Sequence, residues 1–107
     1  MVMDRYKDKR RIFRQALYRG VVMAESEDAF DQDGTFFFPP ESVHSEFLRP
    51  AEQTGSCLWN GVSEYFDIVI GERVIRNAAW TFRNPSRLTA SIKDFIAFGP
   101  EIHVREV

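Results

Sequence analysis

The sequence is short of the residues that form covalent or metal cross-links. Cys57 is its single cysteine, and His44 and His103 are its two histidines. One cysteine cannot form an intrachain disulfide, and a zinc site built from cysteine pairs is impossible. Such sparing use of cysteine is typical of a reducing compartment, so we expect a cytoplasmic protein.

Long apolar runs are missing as well. No stretch approaches the roughly 20 consecutive apolar residues that a membrane helix needs. The first 14 residues also lack the apolar segment and the small-residue cleavage site of a secretory leader. We therefore expect neither secretion nor a membrane partner.

Apolar and aromatic residues are plentiful. Of the 107 residues, 44% are hydrophobic and ten are phenylalanine. A chain of this length buries roughly two thirds of the surface that its unfolded form exposes, which allows one hydrophobic core. We therefore predict a single β-rich domain over residues 15–107, preceded by a basic extension over residues 1–14.

A basic terminal extension is a feature of some nucleic-acid-binding proteins. Its cations are interrupted by Asp4 and Asp8, and the chain as a whole has a net charge of −2. The sequence has no stripe of aromatic residues interleaved with lysine or arginine, which a base-stacking surface requires. These observations do not favour a nucleic-acid partner.

Apolar runs and turn residues predict strands in the first half of the chain. Ile12–Tyr18 and Val21–Ala24 flank Arg19-Gly20, a pattern typical of a β-hairpin. Residues Glu25–Gly34 are interpreted as a polar loop. An extended run over Thr35–Phe38 then ends at two prolines, which cannot donate to a strand ladder.

Short helices and further strands are predicted after these prolines. One turn of helix is expected within Glu41–Phe47, and Asn84-Pro85 is expected to start a second helix. Leu88, Ile92 and Phe95 would form the apolar face of that second helix. Strands are predicted at Ile96–Phe98 and around Ile102 and Val104.

Residues 64–82 are the strongest hairpin candidate. Gly71-Glu72 interrupts two extended runs, and glycine at the first turn position suits a type II′ turn. That turn pairs Ile70 with Arg73 and, three steps further from the turn, sets Asp67 opposite Arg76.

No metal or other cofactor is expected. Residues 31–34, with the sequence Asp-Gln-Asp-Gly, resemble the middle of a calcium loop, but Ala29 and Pro40 would occupy its first and last ligand positions. A two-metal site at Asp67 would need a second carboxylate, and the residue two positions on is Val69.

The segment Ser56–Gly61 leaves two interpretations open. If one strand runs straight through it, a single face of the hairpin carries a cleft of Cys57, Trp59, Tyr65, Asp67, Arg76 and Trp80. If Asn60-Gly61 instead forms a type I′ turn, Trp59 lies opposite Val62, and Cys57 moves to the other face.

Six segments carry a resemblance to a known family: Val22–Ser26, Phe37–Val43, Cys57–Gly61, Tyr65-Phe66, Asn77–Trp80 and Ile96–Phe98. Together they resemble the domain of unknown function family numbered 427, which carries a nucleotidyltransferase-like label. Asn60 stands where members commonly have a lysine, and Ser42 where they often have an aspartate.

The resemblance implies a mainly β, antiparallel β-tent-like domain, similar in shape to methionine sulfoxide reductase B, with one or two short helices. Relatives of that shape often hold zinc on cysteine pairs, which this chain lacks. The family has no established activity to carry over, and whether the chain is an enzyme stays open.

The leading functional hypothesis is a binding module for a small ligand or a peptide. Its pocket would be lined by Trp59, Tyr65, Asp67, Arg76 and Trp80. One alternative is a thiol-dependent enzyme or redox protein that uses Cys57 as its nucleophile, activated by Arg76. Another is a homodimeric scaffold that pairs through an exposed strand edge.

Overall fold

The computed structural model describes residues 12–57 and 60–107, which form two antiparallel sheets. The small sheet has the order β2-β1-β9 and the large sheet the order β3-β4-β8-β7-β6-β5. The strands are β1 Arg14–Tyr18, β2 Val21–Ser26, β3 Phe30–Gln32, β4 Thr35–Phe38, β5 Leu48–Cys57, β6 Gly61–Ile70, β7 Arg73–Phe82, β8 Ile96–Phe98 and β9 His103–Glu106.

The mainly β fold predicted from the sequence is confirmed. Helical structure in the described residues is limited to three short 3-10 helices over Pro40–Ser42, Ser45–Phe47 and Arg87–Ile92. None of the helices in residues 12–57 and 60–107 is long and apolar enough to cross a membrane. Residues 1–11 of the predicted basic extension lie outside the described residues, and Arg14 is the first residue of β1.

The first predicted hairpin is confirmed. Tyr18 pairs with Val21, and both Arg19 and Gly20 between them have positive φ angles, of 49° and 83°. Two consecutive residues with positive φ are the mark of a type I′ turn, whose twist matches that of the strands. The far edge of β1 pairs with β9, so the first and last strands of the domain are neighbours.

The predicted polar loop over Glu25–Gly34 is wrong in part. β2 continues to Ser26, and β3 at Phe30–Gln32 forms a hairpin with β4 through a turn at Asp33-Gly34. The sequence pattern did not predict β3 because this strand is only three residues long and forms an edge of the large sheet, where polar residues stay exposed.

The β6–β7 hairpin forms with the predicted turn. Gly71 has a φ of 60°, as the first position of a type II′ turn requires, and Ile70 pairs with Arg73. The predicted pair of Asp67 with Arg76 is wrong, because the register shifts between Phe66 and Ile68. A bulge in β7 takes up the shift.

The predicted helix start at Asn84-Pro85 is also wrong. The third 3-10 helix begins at Arg87, and non-helical angles at Thr89 interrupt it. Its inward residue is Ile92, which is fully buried, while Leu88 is 77% exposed. A chain with this kink cannot present residues 88, 92 and 95 on one face.

The chain reverses between β5 and β6, so the interpretation of one straight strand through Ser56–Gly61 is wrong. Cys57 pairs with Gly61 and Ser56 with Val62. The register of a two-residue turn at Asn60-Gly61, which would set Cys57 opposite Glu64, is wrong as well. Residues 58 and 59 lie outside the described residues.

Two apolar clusters flank the large sheet. The main core lies between the two sheets and contains Met23 and Ala24 of β2 together with Phe38, Ile68 and Phe98 of the large sheet. A second cluster contains Phe37, Phe82, Ile92 and Ala97, with Cys57 and Trp80 packed against it. Neighbouring residues Phe37 and Phe38 therefore serve different clusters, as alternation along a strand requires.

Candidate functional site

A cavity of about 340 Å³ lies beside the second cluster. We call it the aromatic cavity. β5, β6 and β7 provide most of its lining, and the β3–β4 hairpin closes one side. The residues that line it are Gln32, Thr35, Phe37, Gly55, Ser56, Cys57, Asn60, Ser63, Tyr65, Trp80 and Phe82.

Two aromatic rings meet in this cavity. Tyr65 of β6 lies directly opposite Trp80 of β7, and the ring centroids are 5.7 Å apart with an interplanar angle of 43°. Both side chains are half-buried. Aromatic rings at this separation attract each other beyond their area of burial, and their free faces offer flat apolar surface to a ligand.

Two amide side chains pair at the same cavity. Nε2 of Gln32 donates to Oδ1 of Asn60 at 3.2 Å, and Nδ2 of Asn60 donates to Oε1 of Gln32 at 2.8 Å. Asn60 is only 1% exposed. A primary amide has two N–H donors and two acceptor lone pairs, so each partner retains hydrogen-bonding capacity after making this pair.

Cys57 lies at the end of β5, opposite Gly61, and is partly buried against the second cluster. Among the described residues, the lining of the aromatic cavity contains no aspartate, glutamate, lysine, arginine or histidine. A thiolate nucleophile is generally stabilised by a nearby cation or helix N-terminus. The described lining supplies neither to Cys57.

The structure divides the predicted site residues between two places. Tyr65, Trp80 and Cys57 come together at the aromatic cavity. Asp67 and Arg76 line a separate cavity of about 430 Å³. Trp59 falls outside the described residues.

Asp67 makes two contacts that the sequence did not indicate. Its Oδ2 accepts a hydrogen bond from Nη2 of Arg49 at 3.2 Å, and its Oδ1 accepts one from the backbone N–H of Asn77 at 2.9 Å. The Asn77 N–H, and then Arg49, lower the pKa of the Asp67 carboxyl; Arg76 adds a weaker effect in the same direction, and burial opposes them.

Arg49, Gln32 and Asn60 were missed as site residues. Arg49 pairs with Asp67 across the β5–β6 ladder, but no strand was predicted at this position, where Pro50 is the next residue. Gln32 lies in the segment interpreted as a loop. The only signal for Asn60 was its place in the distinctive segment Ser56–Gly61, and nothing in the sequence pointed to an amide partner 28 residues away.

The described residues include no group of three or more histidine, cysteine, aspartate or glutamate side chains placed to hold a metal ion.

The comparisons with known proteins identify a family. The model of a family described as a domain of unknown function, DUF427, matches residues 7–107. The match spans both sheets and both cavities. A comparison with curated proteins finds no match for the chain.

Proposed function

The chain belongs to the DUF427 family of domains of unknown function, and from the geometry of its aromatic cavity we propose that it is a non-catalytic binding module. The group it binds is uncharged and planar, and belongs to a small molecule or to a peptide side chain. The observation that carries the proposal is the combination of the Tyr65–Trp80 ring pair with the Gln32–Asn60 amide pair at one cavity.

The absence of charge from the described lining supports an uncharged ligand. An ion moved from water into a partly buried cavity loses hydration, and this loss needs an opposite charge to offset it. The lining residues of the aromatic cavity that the structure describes supply none. A neutral ring loses little hydration and gains contact with Tyr65 and Trp80.

The size and polarity of the aromatic cavity restrict the class of ligand further. A cavity of about 340 Å³ is at the small end of the range for ligand sites. It accommodates a single ring better than a larger molecule. The unused donor and acceptor capacity of the Gln32–Asn60 pair favours a ring that carries an amide or a similar donor–acceptor edge.

The thiol-enzyme alternative has no comparable support. It required Arg76 beside Cys57, whereas Arg76 lines the other cavity. A cytoplasmic location and a homodimer stay predictions from the sequence.

Nicotinamide and nicotinate provide a matched test, because they share a ring and differ in an amide against a carboxylate. We expect nicotinamide to shift the NMR resonances of Ser63, Tyr65 and Trp80, and to bind about tenfold tighter than nicotinate. Tyr65→Leu should weaken nicotinamide binding about three- to tenfold, because it removes one ring face. Tyr18→Leu makes the same substitution in the small sheet and should leave binding unchanged.

The same NMR titration is carried out with three neutral rings, nicotinamide, benzamide and uracil. The proposal would be abandoned if none of them shifted these resonances at its solubility limit. Nicotinate binding as tight as that of nicotinamide would also contradict it. Thermal unfolding of each variant checks that the substitution has not unfolded the domain.

A further inference from the structure

The second cavity is produced by two bulges that flank the same part of β6. In the β5–β6 ladder, Pro50 pairs with Phe66 and Thr54 with Glu64, so residues 51–53 face Tyr65 alone. In the β6–β7 ladder, residues 76–78 face Asp67 alone. The ladder is therefore irregular on both sides of β6 within three residues.

Unpaired residues of β5 and β7, the two neighbours of β6, border a space of about 430 Å³, which we call the bulge cavity. Asn77 lies in it with a φ of 54°, a left-handed conformation that costs energy for a residue with a side chain. Bulges and such strained residues are over-represented next to functional sites, where they redirect side chains.

Two side chains of opposite charge, Glu52 and Arg76, line this cavity. The carboxylate of Asp67 already accepts hydrogen bonds from Arg49 and from the Asn77 N–H. Glu52 and Arg76 are exposed and line the same cavity. Neither takes part in an ion pair within 4.0 Å or in a side-chain hydrogen bond with any residue that the structure describes.

We propose that the bulge cavity binds a small zwitterion, the chemical class to which free amino acids belong. The ligand carboxylate lies on the guanidinium of Arg76, and the ligand ammonium group lies on the carboxylate of Glu52. Arginine suits the first role because its planar fork can donate two parallel hydrogen bonds to a carboxylate. The site is non-covalent and shares no lining residue with the aromatic cavity.

Charge balance favours a zwitterion over a simple anion or cation. Arg49 forms an ion pair with Asp67, and Arg76 adds only a weaker attraction to the same carboxylate. One positive and one negative side chain, Arg76 and Glu52, therefore line the cavity without an ion pair to a described residue and can contact the ligand. A ligand with a single charge satisfies only one of them. A zwitterion satisfies both and keeps the occupied site electrically neutral.

NMR titration with glycine, β-alanine and γ-aminobutyrate tests this site, because the three probes differ in the distance between their charges. At least one of them should shift the resonances of residues 51–53 and 76–77. It should bind about tenfold tighter than acetate or methylammonium, each of which carries one of the two charges. Zwitterions that bind no tighter than both single ions would overturn the proposal.

Charge-neutralising variants identify the two contacts. Arg76→Gln and Glu52→Gln should each weaken binding of the best zwitterion about tenfold and reduce it to the level of a single ion. Arg73→Gln and Glu72→Gln remove exposed charges at the nearby β6–β7 turn and should have no effect. An equal loss in these two controls would show general electrostatic attraction and contradict the site. Because nicotinamide reports on different residues, this test can fail while the aromatic cavity still binds, and the reverse.

Discussion

The backbone N–H of Asn77 donates a 2.9 Å hydrogen bond to Oδ1 of Asp67 across the β6–β7 hairpin. An unbroken register counted from the Gly71-Glu72 turn would instead pair Asp67 with Arg76. The carboxylate thus satisfies the N–H of a residue whose left-handed conformation takes it out of the regular ladder. The bulge and the buried carboxylate depend on each other.

Asp67→Asn should therefore destabilise the domain. The amide keeps one oxygen for the Asn77 N–H but loses the charge that faces Arg49. Hydrogen bonds to charged groups contribute about 1.5–3 kcal/mol each, so we expect a fall of about 1–3 kcal/mol in the free energy of unfolding at neutral pH. Urea denaturation measures it.

Acid should reduce the difference in stability between wild type and Asp67→Asn. The folded-state pKa of Asp67 lies below its ordinary value of 3.8, mainly because of the Asn77 N–H. A lowered carboxyl pKa stabilises the fold fully above the unfolded pKa, and this stabilisation is lost as the pH falls through the folded pKa. The gap between wild type and Asp67→Asn should narrow below about pH 4. A constant gap from neutral pH into acid would contradict this, and Glu72→Gln, at an exposed turn, serves as the control.

Asn77 offers a separate test of the bulge. Asn77→Val should lower the free energy of unfolding by about 1–2 kcal/mol, because a β-branched residue fits poorly at a φ of 54°. Asn77→Gly should stay within about 1 kcal/mol of wild type, because glycine adopts this conformation readily. Arg76→Val, one residue earlier and outside the positive-φ residues, should be tolerated. Thermal unfolding would contradict the account if valine cost the same at both positions.

Local turn chemistry explains which parts of the fold were predictable. Arg19-Gly20 and Gly71-Glu72 each specify a tight turn within a few residues, and both turns form as predicted. The strands Thr35–Phe38 and Ile96–Phe98 are marked by apolar runs that end at proline or glycine. These signals need no knowledge of distant partners.

The missed features depend on distant partners. β3 has only three residues and is defined by its pairing with β4. The bulges of β5 and β7 shift the register, and the β7 bulge contains no glycine that would have predicted it. A register prediction carried outward from the β6–β7 turn therefore holds for three pairs and fails at Asp67. That failure is also why two of the five predicted pocket residues, Asp67 and Arg76, line a second cavity.

Gly55 makes a close approach that can be tested by substitution. A methyl group added there would lie 2.8 Å from Oγ of Ser63 and 3.4 Å from the Tyr65 ring. We expect Gly55→Ala to lower the free energy of unfolding by about 1 kcal/mol, in the range of overpacking. The double variant Gly55→Ala/Ser63→Ala removes the hydroxyl that the methyl group meets and should recover most of the loss. Urea denaturation that showed no recovery would contradict a clash at Ser63.

The Gln32–Asn60 pair should behave as one energetic unit that joins the β3–β4 hairpin to the chain reversal before β6. Asn60 is 1% exposed, so Gln32→Ala leaves a buried amide without its partner, and Asn60→Ala leaves the partly buried amide of Gln32 without its partner. The double variant removes both groups together. Its loss of stability should fall short of the sum of the single losses by about 0.5–1.5 kcal/mol.

The exposed hydrogen bond from Gln15 to Glu25, at 2.9 Å, supplies the matched control for this cycle. Water can replace either partner there, so the same four-protein cycle with alanine should give a coupling below about 0.5 kcal/mol. Equal coupling in the two pairs would show that burial of Asn60 adds nothing. A large coupling only at Gln32–Asn60 would mean that both amides are held in place by each other, with their remaining donors and acceptors set in fixed directions at the aromatic cavity.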